Sequence, residues 1–156
     1  MQSSSPTHQS FRSRTTLDGT RRPVHDPPRV LVAEDDRDLR DMLVEILSFE
    51  GYDVQEAKDG GRLLVALTSS ATCGYADGLD LLVSDICMPI CTGIQIVESL
   101  RAAHCGVPVI LITGSVDDRT RFQAARLGAV LLQKPFTLAE LTNAVAELLQ
   151  RPPAVQ

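Results

Sequence analysis

Tryptophan is absent, and aromatic residues of all kinds make up only 4% of the 156-residue chain. Without aromatic platforms, successive bases have nothing to stack on, which argues against single-stranded nucleic acid as a ligand. No apolar run approaches the roughly 20 residues that a membrane-crossing helix requires. The N-terminus has no apolar core of the kind a secretory leader carries, so the expected compartment is the cytoplasm, with no membrane partner. Four cysteines (Cys73, Cys87, Cys91 and Cys105) follow no regular spacing. In that compartment they are expected to be free thiols. Cys87 and Cys91 stand four apart, but no nearby His or Cys supplies the two further ligands of a zinc site. A phosphate-binding glycine loop is also missing: no G-x-x-x-x-G-K-S/T pattern follows Gly60-Gly61, which reads as a turn ahead of a helix.

What is present is enough for one core. Hydrophobic residues are 44% of the composition, ample for a single packed domain of this length. Charge is uneven along the chain. Residues 1–28 hold four Arg against two Asp, net +2, and the remainder holds 11 Lys+Arg against 18 Asp+Glu, net −7. The acidic body argues against direct binding of nucleic acid. Residues 1–28 are rich in Ser, Thr, Arg and Pro and lack apolar periodicity, so they are read as a disordered tail. Their Arg and Ser content faintly suits a transit peptide, but no amphipathic helix accompanies it.

From Arg29 onward, short apolar runs alternate with segments of helical spacing. The runs are Arg29–Ala33, Asp53–Ala57, Leu79–Ser84, Val107–Thr113 and Ala129–Gln133, the second carried mainly by Tyr52 and Val54. Three of the others are near-continuously apolar, as parallel strands covered on both faces are. Leu39, Met42, Leu43, Ile46 and Leu47 make one helical stripe; Leu138, Leu141, Val145 and Leu148 make another. Leu63, Leu64 and Leu67 mark a brief second helix, and Ile96, Val97 and Leu100 a third. Capping boxes are expected at Thr92 with Gln95 and at Thr137 with Glu140. Five strand–helix repeats in about 120 residues predict an α/β fold built on a doubly wound, five-stranded parallel sheet.

Such sheets bind ligands at the carboxyl ends of their strands. Glu34-Asp35-Asp36 follow the first run, Asp85 the third, Thr113 the fourth and Lys134 the fifth. Three carboxylates brought together raise one another's pKa unless a cation neutralises them. An all-oxygen set of high negative charge selects a hard cation, most simply Mg2+. A lysine opposite can hold a phosphoryl oxygen, and a threonine hydroxyl can donate to it. Phosphoryl transfer needs little more than a nucleophile, charge neutralisation and positioning. A carboxylate nucleophile yields an aspartyl phosphate, a labile anhydride suited to a switch. Taken alone, Glu34-Asp35-Asp36 also suits a helix N-terminus, and Asp36 in particular is expected to cap one.

Val-Leu-Val-Ala-Glu-Asp-Asp, Ser-Asp-Ile-Cys-Met-Pro with Gly93, Leu-Ile-Thr-Gly and Gln-Lys-Pro-Phe occur in this order along the chain. Over residues 29–150 the sequence resembles the receiver domains of response regulators. The resemblance implies a flavodoxin-like (βα)5 fold in which Asp85 is the phosphoacceptor. It further implies that Glu34, Asp35 and Asp85 hold Mg2+ together with the backbone carbonyl of Cys87. Thr113 would be the switch hydroxyl, Lys134 the phosphoryl contact, and Lys134-Pro135 a cis peptide. The implied partners are a sensor histidine kinase or phosphotransfer protein and a downstream target. A homodimer through the fourth helix, fifth strand and fifth helix is a further possibility. The sequence departs from the family where an aromatic residue usually precedes the lysine by three; here that residue is Leu131, and the segment before Lys134 is one residue short.

The expected role is therefore signalling, with no enzymatic activity beyond the domain's own phosphotransfer and autodephosphorylation. Residues 151–156 are too few for a DNA-binding module, which predicts a stand-alone receiver. Leu131 leaves room for a binding module that works without phosphorylation. A phosphatase on a similar fold would want a second acid two residues after the nucleophile, where Cys87 stands.

Overall fold

The three continuous apolar runs become the interior of the sheet, because helices cover them on both sides. The computed structural model describes residues 25–69 and 78–150. Five strands alternate with five helices: β1 (Arg29–Ala33), α1 (Arg37–Phe49), β2 (Asp53–Ala57), α2 (Gly60–Ser69), β3 (Leu81–Asp85), α3 (Gly93–Ala102), β4 (Val109–Thr113), α4 (Asp118–Arg126), β5 (Val130–Gln133) and α5 (Leu138–Leu149). All strand pairs are parallel, in the order β2-β1-β3-β4-β5. That is the flavodoxin-like arrangement expected from the sequence.

Side chains alternate across the strands, so each strand feeds two cores. Val30, Val32, Leu81, Val83, Ile110 and Ile112 pack against α1 and α5 through Leu43, Leu47, Leu141 and Val145. Leu31, Leu82 and Leu111 face the other way, onto Leu63, Leu67, Val97 and Leu100 of α2 and α3. Each fully buried Leu or Ile contributes roughly 1.5–3 kcal/mol relative to an exposed one. β2 and β5 each pair on one side only and are correspondingly less buried.

Several details differ from the sequence expectation. β4 begins at Val109, not Val107, since Pro108 has no N–H and offers only its carbonyl, which accepts from Leu82. β3 begins at Leu81: Asp80 precedes it as a buried carboxylate that accepts the Arg29 N–H (2.9 Å) and meets His25 Nδ1 (2.9 Å). The expected tail of residues 1–28 ends in contact with the fold: the Pro28 carbonyl accepts the Asp53 N–H, so ordered contacts start before Arg29. The rest of the expected N-terminal tail, residues 151–156 and Cys73 lie outside the described residues. Gly60-Gly61 is the start of α2 itself, not a turn ahead of it. A Cβ on Gly60 would stand 2.3 Å from the Cys91 carbonyl oxygen, so the close approach of α2 to the β3–α3 loop requires glycine there. His104 lies beyond the end of α3 in a left-handed conformation (φ 57°), a position glycine usually takes. α4, which left no apolar stripe in the sequence, buries only Ala124. No helix among the described residues is long and apolar enough to cross a membrane.

Candidate functional site

The register of the sheet carries the polar residues to one edge. Ala33 is opposite Ser84, which sets Glu34 beside Asp85; Thr113 is opposite Gln133, which sets Lys134 just beyond it. The Lys134 N–H donates to the Thr113 carbonyl at 2.8 Å and fixes the start of the fifth loop. The Lys134-Pro135 peptide is cis, as expected.

Lys134 Nζ then reaches back across the sheet. It donates to Asp85 Oδ2 at 2.9 Å and to Glu34 Oε2 at 3.1 Å. Both carboxylates are buried, whereas the lysine keeps partial access to solvent. The second oxygen of Asp85 accepts the Cys87 N–H at 2.9 Å, and the second oxygen of Glu34 accepts the Asp36 N–H at 3.1 Å. Asp36 also caps α1, its side chain accepting from the Leu39 N–H.

Burial pushes the Glu34 carboxyl up to about 7; the Asp36 N–H and Lys134 oppose this rise, and the charge of Asp85 adds to it. Burial would by itself lower the Lys134 ammonium, but its hydrogen bonds to Asp85 and Glu34 outweigh that and hold it above the ordinary lysine value. Lys134 thus faces two acids, Glu34 and Asp85, and Asp35 stands close to both. Carboxylate oxygens of Glu34, Asp35 and Asp85 lie within 4.8 Å of one another. An all-oxygen donor set with excess negative charge fits a hard divalent cation.

Thr113 and Cys87 each make contacts within or beside their own loops. The Thr113 hydroxyl donates to the Ser115 carbonyl at 2.8 Å and accepts the Ser115 N–H at 3.2 Å, so it is engaged within its own loop. The Cys87 backbone N–H, which donates to Asp85, holds in place the loop whose carbonyl is the expected metal ligand. Cys87, Cys91 and Cys105 are free thiols. Leu131 is half-buried against the core cluster that contains Leu111, Ala124 and Leu127.

Sequence reasoning missed Arg40. Its guanidinium donates to the Glu34 carbonyl (3.0 Å) and pairs with Glu56 (3.2 Å), tying α1 and β2 to the loop between β1 and α1 that carries the acids. Nothing in the sequence pattern marks it, since it falls among exposed charges of α1. Both capping boxes form as expected, at Thr92/Gln95 and Thr137/Glu140.

With fold and site in place, the class of protein is defined: residues 30–146 match the family model described as response regulator receiver domain, and the chain belongs to that family of two-component signalling domains. It is 39% identical over 126 residues to the transcriptional regulatory protein PrrA of Mycobacterium tuberculosis, covering 80% of this chain and 51% of that protein. The transcriptional regulatory protein CpxR of Escherichia coli is 36% identical over 124 residues, covering 79% and 50%. Among solved structures, the receiver domain of the Francisella response regulator 1452 superimposes with a TM-score of 0.69 at 29% identity, covering 79% of this chain and 97% of that one. The chain spans about half the length of the curated relatives it matches. The expectation that nucleic acid is no partner finds no support in these relatives, which are named as transcriptional regulators.

Proposed function

We propose that Asp85 accepts a phosphoryl group from a phosphohistidine of a sensor kinase or phosphotransfer protein. The observation that carries this reading is the Lys134–Asp85–Glu34 cluster at the carboxyl edge of the sheet, with Asp35 beside it. Asp85 Oδ2, already paired with the lysine, is the oxygen beside which an incoming phosphoryl group finds a positive charge. Glu34, Asp35 and Asp85, with the Cys87 carbonyl, would hold Mg2+, which supplies charge neutralisation for the transferring group. Lys134 binds a phosphoryl oxygen once its present carboxylate contacts are shared, and the Thr113 hydroxyl turns from Ser115 to donate to another. Phosphorylation adds about −1.5 to −2 charges at this spot. Motion of Thr113 carries the β4–α4 loop with it and changes the α4–β5–α5 face that a target protein or a second copy would read. A shift from 1:99 to 99:1 between two arrangements needs about 5.5 kcal/mol of differential stabilisation.

Leu131 supports a second reading, a partner-binding module that works without phosphorylation. A half-buried leucine stands where the family usually carries an aromatic side chain, so coupling between Thr113 and that face would lack the rotating ring.

Intact-mass measurement after incubation with acetyl phosphate, with and without Mg2+, tests the first reading. A gain of one phosphoryl group that needs Mg2+ and is lost in Asp85→Ala supports it. Failure with both acetyl phosphate and a phosphohistidine donor would leave the second reading in its place.

A further inference from the structure

The outer face of α1 carries a stripe that no part of the described fold covers. Successive residues turn by about 100° around a helix, so Asp38, Asp41, Met42, Glu45 and Phe49 fall within an arc of about 100°, opposite the buried Leu43 and Leu47. All five are exposed, and Phe49 retains 79% of its accessible surface. Phe49 lies two turns beyond Met42 on the same stripe and one turn beyond Glu45, so exposed apolar and acidic groups share one open face of α1. Among the described residues Asp38 and Glu45 form no ion pair; Asp41 has only the exposed Arg37 at 3.6 Å, a weak contact.

The complementary charge is in the chain itself. Residues 1–24 carry Arg12, Arg14, Arg21 and Arg22 against one acid, Asp18, net +3, with Phe11 next to the first arginine. The chain enters the fold beside the turn that ends α1. His25 is held on Asp80, and the Pro28 carbonyl accepts the Asp53 N–H four residues beyond Phe49. The segment 1–24 is therefore joined to the fold near the Phe49 end of the stripe. α1 is about 20 Å long, and 24 residues reach up to about 80 Å. A second copy docking α1 to α1 would set acids against acids, which disfavours it.

We propose that residues 1–24 bind back along the outer face of α1, their arginines on Asp38, Asp41 and Glu45 and Phe11 against Met42 or Phe49. On the function proposed above, this arm competes with any protein that approaches Asp85 across α1, but the test does not depend on that function.

The full chain, labelled with 15N, is compared by NMR with a synthetic peptide of residues 1–24. Amides from Phe11 to Arg22 are expected to differ between the two, and about 0.5 M sodium chloride should move them toward the peptide values, since the Debye length is then only about 4 Å. The triple variant Asp38→Lys, Asp41→Lys, Glu45→Lys should move them likewise while leaving the amides of β1 and β4 in place. If that variant does not fold, Arg12→Ser, Arg14→Ser, Arg21→Ser, Arg22→Ser decides, because its substitutions lie outside the described fold; it should shift the α1 amides. Coincidence of tail and peptide amides in the unmodified chain overturns the proposal. So do α1 shifts that follow protein concentration, which would give the stripe to a second copy.

Discussion

The carbonyl oxygen of Asp85 stands where a side chain on residue 93 would have to go: a Cβ on Gly93 would lie 2.3 Å from it. The Gly93 N–H meanwhile donates to the Ile86 carbonyl, so the start of α3 is pressed against the end of β3. The loop that positions Asp85 depends on this contact. Gly93→Ala is expected to cost about 1–3 kcal/mol through overpacking, read as a lowered urea midpoint. On the function proposed above, it should also slow acceptance of a phosphoryl group by moving Asp85.

Lys134 neutralises two buried carboxylates at once. Lys134→Met leaves Glu34 and Asp85 facing each other without their cation, and the loss should be greatest where both are ionised. We expect about 1–2 kcal/mol of destabilisation at pH 8 without Mg2+, less than a fully buried pair because Nζ is partly solvated. Near pH 5 the loss should shrink as Glu34 takes up a proton. Urea unfolding at the two pH values measures both.

Glu34 gives the site a pH dependence of definite sign. Its pKa in the fold, about 7, lies above its ordinary 4.5, so the folded protein binds more protons than the unfolded one between these values. The associated stability is fully present below about 4.5 and is lost as pH rises through about 7. On the metal site proposed above, a divalent cation has to displace that proton, so Mg2+ affinity should fall by up to about tenfold per pH unit below 7. Thermal midpoints measured with and without Mg2+ from pH 5.5 to 8.5 test this; Glu34→Gln should flatten the metal-free profile.

Arg101 closes the opposite end of the domain. Its guanidinium donates to the carbonyls of Leu127 (2.8 Å), Cys105 (2.7 Å) and Val107 (3.0 Å), joining the ends of α3 and α4 to the entry of β4. Arg101→Met leaves three acceptors without a donor and should cost about 2–3 kcal/mol. Arg101→Lys should recover little, since one ammonium on a flexible stem does not reproduce the planar fork. Calorimetric midpoints of the two variants decide it.

Asp80→Ala removes the acceptor of the Arg29 N–H and the partner of His25 together. The expected loss is about 1–3 kcal/mol, visible as faster exchange of the Arg29 amide. His25→Ala should cost less, because the Arg29 contact survives.

Much of the fold was legible because helices cover both faces of the sheet. Continuous apolar runs such as Val109–Thr113 have few other uses, and the capping boxes at Thr92 and Thr137 mark helix starts by local chemistry alone. α4 was not legible: it rests on Ala124 and presents Phe122 to solvent, so its apolar pattern is nearly blank. The expectation of a turn at Gly60-Gly61 failed for a related reason. The need for Gly60 comes from Cys91, 31 residues away, and no local pattern records that.

For the site, residue types and strand-end positions were enough to name Glu34, Asp35, Asp85, Thr113 and Lys134 as one group, because a parallel sheet brings its carboxyl ends to one edge. Contacts between them depended on registers and side-chain reach, which are long-range. The sequence alone could not tell that Lys134 bridges Glu34 and Asp85, that Thr113 turns toward Ser115, or that Arg40 holds the Glu34 carbonyl. Local chemistry determined which elements form and which groups they carry; packing between distant elements decided where each charged atom points and what it costs to keep it buried.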